Sequence, residues 1–251
     1  MLYMKRNKLL PTLFVYLTFF QKEELGRRDK SSVEHLATSI FYLSQITQFT
    51  LRILIVSNKE ISSLKEISLP VEARLDSSSI SQYISTDAEI MANGIKIPWL
   101  LTWVHKKFMF EDFNSSNPSN GDLFLALEDD ALFTEANLNY FLNERKVLAK
   151  IGLIPSFLRS EWSALDVCWT NPDPVGRIIS TSTFFDHPNN REKVLLQLDN
   201  PYSASILLDY SLAKEYFSSE SSVQQLAWKK HPVIYDIGSS AMLGLICENI
   251  P

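Results

Sequence analysis

The stretch LFLALEDDALFT, residues 123–134, runs five apolar residues straight into three consecutive carboxylates, Glu128, Asp129 and Asp130. A short, nearly continuous apolar run predicts a strand that is covered on both faces, as in a parallel sheet. Adjacent like charges repel, and burying one of them without a partner is costly. The three carboxylates are therefore either solvated by water or held close to a cation.

The segments before this stretch predict a strand–helix–strand unit. LLPTLFVYLTFF, residues 9–20, is too short to span a bilayer, is interrupted by Pro11 and lacks a following small-residue cleavage site, so it indicates a first strand. Ser31-x-x-Glu34 is a capping-box pattern that precedes a helical face. LRILIVSN, residues 51–58, predicts the second strand, which would pair in parallel through a right-handed crossover.

The rest of the chain continues the alternation of strands and helices, which favours one α/β domain over residues 1–251. Residues 59–90 predict a loop with a weak strand, and Thr134 can cap a helix that ends near Gly152. The remaining expected helices lie at 99–110, 210–217, 222–229 and 237–246, and the strand-like runs at 153–159, 177–184 and 194–198.

Composition excludes several classes of function. A net charge of −5 with a pI near 5.5 gives no electrostatic footprint for nucleic acid. Seven scattered glycines leave neither a GxGxxG fingerprint nor a P-loop. The two cysteines have neither metal-ligand spacing nor the pattern of a disulfide framework, which indicates a reducing, cytoplasmic compartment, with peripheral membrane association left open.

The carboxylates lie where an open α/β sheet binds ligands, beyond the carboxyl end of a strand. A hard cation such as Mg²⁺ or Mn²⁺ prefers oxygen ligands and commonly joins one or two carboxylates to substrate phosphates. The alternative is a solvated acidic turn that is favourable for the dipole of the following helix. Against that alternative, Thr134 already offers a cap and the apolar strand implies burial nearby.

An apolar strand that ends in Glu-Asp-Asp before a helix resembles the DxD box of GT-A-fold glycosyltransferases, in the form found in the N-acetylglucosaminyltransferase I group. The resemblance covers residues 120–160, extends as topology to 12–58, and includes NPYSASILLDYSLAKEYF at 200–217, which is similar to an acceptor-side segment with a turn, a strand and a helix. It implies that Asp130 is the principal metal ligand and that Glu128 and Asp129 lie near the donor nucleotide.

The resemblance implies a single GT-A-like domain with a mixed, mostly parallel sheet flanked by helices. Residues 1–130 would form the nucleotide-binding half and 131–251 the acceptor-binding half. The implied activity is that of a hexosyltransferase that uses Mn²⁺ or Mg²⁺, a nucleoside-diphosphate sugar and a glycan, lipid or small-molecule acceptor. Two alternatives stay open: a non-catalytic nucleotide- or carbohydrate-binding or interaction domain, and a metal-dependent phosphohydrolase.

Further candidate residues each have a structural alternative. Trp103 could stack on a base or a sugar ring of the donor, and His105 or Lys106 could meet a phosphate. Alternatively, the helix could pack Trp103 into the core with Lys106 and Lys107 in solvent. Glu161 and Asp236 are the candidate bases for an acceptor hydroxyl; their alternatives are a surface ion pair with Arg159 and a helix N-cap.

Four residues complete the candidate acceptor site. They are Arg159, Trp162, Asn200 and Tyr202 on the acceptor side, where an Asn-Pro turn also explains Asn200. His231 is a candidate late metal ligand, with a loop residue before proline as its alternative. The sequence ends at CENIP without a polar tail, and we therefore expect that part of the acceptor half is missing from the C-terminus.

Overall fold

The computed structural model describes residues 10–20, 30–61, 75, 77–92, 94–117, 121–157, 160–163, 167–170, 183–197, 202–230 and 237–245. The helices are α1 Lys30–Ser44, α2 Leu101–Ser115, α3 Glu135–Leu148, α4 Tyr210–Ser218, α5 Gln224–Lys230 and α6 Ile237–Leu243. The strands are β1 Thr12–Phe19, β2 Thr50–Ser57, β3 Ile80–Ile84, β4 Met91–Ala92, β5 Ile95–Lys96, β6 Leu123–Glu128, β7 Glu161–Ser163, β8 Cys168–Thr170, β9 Thr183–Asp186, β10 Val194–Gln197 and β11 Ser205–Asp209.

The central sheet has five strands in the order β3–β2–β1–β6–β11. The first four are parallel, and β11 runs antiparallel to β6 at the edge. In-register pairs such as Tyr16 with Ala126 and Thr18 with Glu128 place their side chains on the same face of the sheet. The predicted mixed α/β fold with a mostly parallel sheet flanked by helices is confirmed.

Helix α2 covers the face of β1 that carries the even-numbered side chains. Tyr16 Oη donates a hydrogen bond to Asp112 Oδ2 at 2.7 Å, and Phe113 contacts Phe124 edge to face. On the opposite face of β1, Leu13 and its odd-numbered neighbours are buried in the same core as Leu36 of α1 and Phe141 of α3. Burial on both faces explains why β1 and β6 have continuous apolar sequences.

The first half of α2 is covered on two sides, because α5 and α6 form a further layer over it. Leu101 and Val104 of α2 share a second core cluster with Ala227 of α5 and Ala241 of α6. Six consecutive residues, 101–106, are therefore buried. A helix buried all round has no solvent-facing polar stripe, which explains the weak amphipathic pattern of this segment.

Most predicted elements within the described residues are confirmed, with two corrections, and most of the strand expected at 177–184 lies outside those residues. The helix expected after the Ser31 capping box begins at Lys30, so Ser31 lies in its first turn. Residues 153–157 form no strand; Pro155 cannot donate to a ladder, and Ile154 and Phe157 instead pack against the core. No helix among the described residues is both long enough and apolar enough to cross a membrane.

Candidate functional site

The carboxylates lie at the point where the strand order of the sheet reverses. From β1 the chain proceeds through β2 to β3 on one side, and β6 then pairs with β1 on the other side. Ligands of open α/β sheets bind outside the carboxyl ends of the strands at such a switch point. Glu128 is the last residue of β6, so Asp129 and Asp130 lie directly beyond the carboxyl end of this strand.

The turn that carries the carboxylates is held by neighbouring elements. Asp129 N donates to Thr18 O at 3.2 Å, and Ala131 N donates to Glu128 O at 3.1 Å. From α1, the fully buried Ser39 Oγ donates to Asp129 O at 2.9 Å and to Ala131 O at 3.2 Å. The backbone after β6 therefore has one well-defined path, which fixes where the three side chains begin.

The three carboxylates have unequal environments. Burial, followed by the negative charge of Asp130 and then that of Glu128, raises the pKa of Asp129 to about 7. Asp130 itself is exposed, whereas Glu128 and Asp129 are half-buried. A site that collects negative charge in partly desolvated surroundings favours a cation nearby.

The helix that follows does not need these carboxylates as caps. Thr134 is the N-cap of α3: its side chain accepts a hydrogen bond from Asn137 N, and Thr134 N donates to Asn137 Oδ1 at 2.9 Å. The carboxylates precede this capping box by several residues. Helix capping therefore does not explain the three carboxylates, and the interpretation as a solvated acidic turn stays open, least so for the half-buried Asp129.

Glu128 has a partner from the second half of the chain. Tyr202 Oη donates a hydrogen bond to Glu128 Oε1 at 2.5 Å, and Glu128 N donates to Ala204 O at 3.2 Å. Charge-assisted hydrogen bonds of this kind are short and strong. The structure thus joins Tyr202, a candidate acceptor residue, to Glu128, a candidate donor residue.

The carboxylates can hold a hard cation only if other ligands complete its coordination. Among the described residues, no group of three or more His, Cys, Asp or Glu side chains converges to hold a metal ion. Mg²⁺-type sites, however, often use one or two protein carboxylates and complete the coordination with water and substrate phosphates. The exposed Asp130 carboxylate, beside Glu128 and Asp129, has the chemistry for that mode.

Trp103 and His105 are placed inside the molecule. Trp103 is only 8% exposed and its Nε1 donates to Ile237 O, so it has the packed role of the alternative interpretation. His105 is fully buried, with Nδ1 3.4 Å from Thr18 Oγ1, and burial holds its pKa well below the usual range. Their predicted contacts with a donor stay predictions.

The expectation that Lys106 lies in solvent is wrong, because α4 covers that side of α2 and the amine lies 4.9 Å from the centre of the Tyr216 ring. Lys106 is 6% exposed, and burial lowers its pKa to about 7. Its neighbour Lys107 reaches the surface as expected and forms an ion pair with Glu89 at 2.5 Å.

The other candidates are only partly described. Glu161 is exposed and begins β7, where it pairs in register with Thr170 of β8, and the backbone of Trp162 lies in the same strand. Arg159, Asn200, His231 and Asp236 lie outside the described residues. The roles predicted for all six residues stay predictions.

Three residues that shape the site were not found from the sequence. Thr18, Ser39 and Ala204 act on the carboxylate turn through long-range contacts between their backbone or hydroxyl groups and residues 128–131. A single Thr, Ser or Ala is not marked by any pattern in the neighbouring sequence as part of a site. Only the position of Thr18 at the end of β1, opposite the expected end of β6, could have indicated it.

Comparison with known proteins gives only distant likenesses. No family model and no curated protein matches the sequence. Among solved structures, 4-diphosphocytidyl-2C-methyl-D-erythritol synthase from Anaerococcus prevotii is 15% identical with a TM-score of 0.36, covering 84% of this chain and 77% of its own. Another structure of a synthase of that name is 14% identical with a TM-score of 0.38, covering 92% and 83%. At scores this low the likeness carries no conclusion about this chain.

Proposed function

We propose that this chain is a metal-dependent glycosyltransferase, which moves a sugar from a nucleoside-diphosphate sugar to an acceptor hydroxyl. The observation that carries the proposal is the run Glu128–Asp129–Asp130 at the switch point of the sheet, with Asp129 partly buried beside two like charges. The resemblance of this run to a Glu-Asp-Asp DxD box supports the same function. Bound Mn²⁺ or Mg²⁺ would neutralise the developing charge of the leaving diphosphate.

The carboxylates would have different tasks. Asp130, the exposed member, would hold the metal together with the diphosphate. Glu128 would be kept in place by Tyr202, and Asp129 would contribute negative charge from partly buried surroundings. Trp103 and His105 of α2 are the further proposed donor contacts. Because both side chains are buried, α2 would have to rearrange before they could reach the donor.

Deprotonation of the acceptor hydroxyl needs a carboxylate within hydrogen-bond reach. Glu161, which is exposed on β7, and Asp236 are the proposed bases. Arg159, Trp162 and Asn200 would bind the acceptor, which is a glycan, a lipid or a small molecule, and His231 would be an additional metal ligand. These assignments rest on the sequence patterns that surround the six residues.

A thermal-shift panel tests the donor site. UDP, GDP, CDP and ADP are each added with and without Mn²⁺ to the wild type, to Asp130→Ala and to Glu135→Ala. Glu135 is a matched control, because it is an exposed carboxylate in the first turn of α3. A ligand that binds only the folded state raises the melting temperature. We expect a shift with one nucleotide that requires Mn²⁺, disappears in Asp130→Ala and persists in Glu135→Ala.

Other outcomes would redirect the assignment. A wild type that responds to none of the four nucleotides contradicts the donor site and favours a non-catalytic interaction domain. Mn²⁺-dependent release of inorganic phosphate from a simple phosphate ester, without a nucleotide response, favours the phosphohydrolase. A nucleotide shift that survives Asp130→Ala places the nucleotide away from these carboxylates.

A further inference from the structure

The segment 202–205 contacts Glu128 in two independent ways. The hydroxyl of Tyr202 donates to the Glu128 carboxylate, and the carbonyl of Ala204 accepts from the Glu128 backbone N–H. Immediately afterwards β11 begins and pairs antiparallel with β6, with Ser205 opposite Leu127. The side chain and the backbone of Glu128 are thus both fixed by one short segment that is distant in sequence.

The same segment contains an unusual backbone conformation. Ala204 has φ +54°, in the left-handed region that costs an L-residue with a Cβ about 1–2 kcal/mol. Among the described residues one other non-glycine residue has positive φ, Val167, and it is 72% exposed, whereas Ala204 is completely buried. A buried, strained residue that contacts a candidate site indicates a functional constraint on its conformation.

We propose that Tyr202 is a positioning residue for the metal and nucleotide site, and that the backbone conformation of Ala204 holds Tyr202 against Glu128. The proposal rests on the proposed function. In this role Tyr202 acts on the ligand site through Glu128. It holds the Glu128 carboxylate in one orientation, and Ala204 directs the segment so that the Tyr202 hydroxyl reaches Glu128. Ligand contacts are then made by a carboxylate turn that is already ordered before binding, which lowers the entropic cost of binding.

The first test removes only the hydroxyl. Tyr202→Phe is compared with Tyr140→Phe, which removes the hydroxyl of an exposed tyrosine on α3. Mn²⁺ binding is measured from the electron paramagnetic resonance signal of free Mn²⁺, and nucleotide binding from the thermal-shift panel. Loss of a partner of a metal-site carboxylate typically weakens metal binding about 10–100-fold, and we expect a loss of roughly tenfold for Tyr202→Phe and none for Tyr140→Phe.

The second test separates positioning from stability. Ala204→Gly relieves the left-handed strain but deletes a buried methyl group, and these effects oppose each other, so the melting temperature should change by only about 2 °C. Because glycine makes the backbone at position 204 more flexible, Mn²⁺ and nucleotide binding should nevertheless weaken at least threefold. A purely structural role predicts the reverse, with binding unchanged whenever stability is unchanged.

The outcomes distinguish this proposal from the proposed function. If Mn²⁺ binds the wild type, no nucleotide does, and Tyr202→Phe weakens Mn²⁺ binding, the positioning role stands and the transferase assignment falls. If nucleotide and Mn²⁺ bind both variants as tightly as the wild type, the positioning role is overturned and the transferase assignment stands. A wild type that binds neither Mn²⁺ nor any nucleotide overturns both.

Discussion

Replacing Lys106 by methionine should stabilise the protein. The amine is nearly inaccessible, its Nζ has no hydrogen-bond partner among the described residues, and it lies 4.9 Å from the centre of the Tyr216 ring. Burial lowers its pKa from 10.5 to about 7. At roughly 1.4 kcal/mol per pH unit, this difference corresponds to a cost of about 5 kcal/mol at low pH.

The net gain is smaller than this cost, because relaxation and water reduce the penalty of burial and the contact of Lys106 with the ring is lost. We expect Lys106→Met to raise the free energy of unfolding by about 2–4 kcal/mol at pH 7, which raises the melting temperature by roughly 4–16 °C for a chain of this size. Methionine is unbranched and fills similar space, so the core need not rearrange.

The pH dependence gives a second, independent check. Since the folded-state pKa lies below the unfolded-state value, the unfolded chain holds the extra proton between about pH 7 and 10.5, and wild-type stability rises with pH in this window. The advantage of the methionine variant should therefore be largest below pH 7 and vanish as pH approaches 10.5. Urea denaturation of both proteins across this range measures it.

Lys107→Met is the matched control, because the adjacent lysine is exposed and paired with Glu89, whose hydrogen bond raises the pKa of Lys107 despite partial burial. Removing that exposed cation should lower stability by no more than about 1 kcal/mol. An unchanged or lower melting temperature in Lys106→Met, or a stability difference that does not change between pH 7 and 10, would refute a buried amine with a lowered pKa at Lys106.

Three further substitutions test the packing around the site and the core. Ser39→Ala leaves the two carbonyls of the carboxylate turn without this donor and should cost about 1–2 kcal/mol in urea denaturation; no loss would show that water replaces the hydroxyl. Glu144→Gln should cost about 1–3 kcal/mol at pH 7. Because the hydrogen bond from Lys193 lowers the pKa of Glu144 below 4.5, the gap to the wild type should close as pH falls through the folded-state value, and a gap independent of pH would contradict this. Gly238→Ala would place a Cβ 2.5 Å from Trp99 Cβ and should cost about 1–3 kcal/mol, whereas an unchanged melting temperature would mean that the α6 backbone moves freely.

The sequence was sufficient for the elements whose signals are local. The apolar runs of β1, β2 and β6 and the Thr134 cap of α3 depend on neighbouring residues, so each could be read within one segment. The burial of Lys106 could not be read in this way, because a lysine on a helix is expected in solvent unless another element covers it. The covering residue, Tyr216 of α4, comes more than a hundred residues later in the sequence. The strand prediction at 153–157 was wrong for the same reason, namely that packing between distant elements decides the outcome. An apolar run does not specify whether it packs in a sheet or beside one.

The candidate site shows the same difference between local sequence patterns and long-range contacts. The sequence located Glu128, Asp129 and Asp130, because three carboxylates after an apolar strand are a local pattern. It could not specify Ser39, which reaches the turn from α1, or the true partner of Tyr202. Both contacts link residues that are 90 or 74 positions apart, and such pairing is decided only when the elements pack.

Two energetically unfavourable features lie next to Glu128 at the carboxyl end of β6. Their proximity distinguishes this turn from an ordinary acidic turn. Ala204, strained and buried, accepts from the Glu128 backbone, while Asp129, next in sequence, is held beside like charge at a raised pKa. Natural sequences break local rules mainly at functional sites. A cation bound there would lower the electrostatic cost of the three carboxylates, so we expect Mn²⁺ together with the nucleotide whose phosphates complete its coordination to raise the melting temperature of the wild type more than either does alone. A melting temperature that is no higher with Mn²⁺ and nucleotide together than with the nucleotide alone would contradict a cation site at these carboxylates.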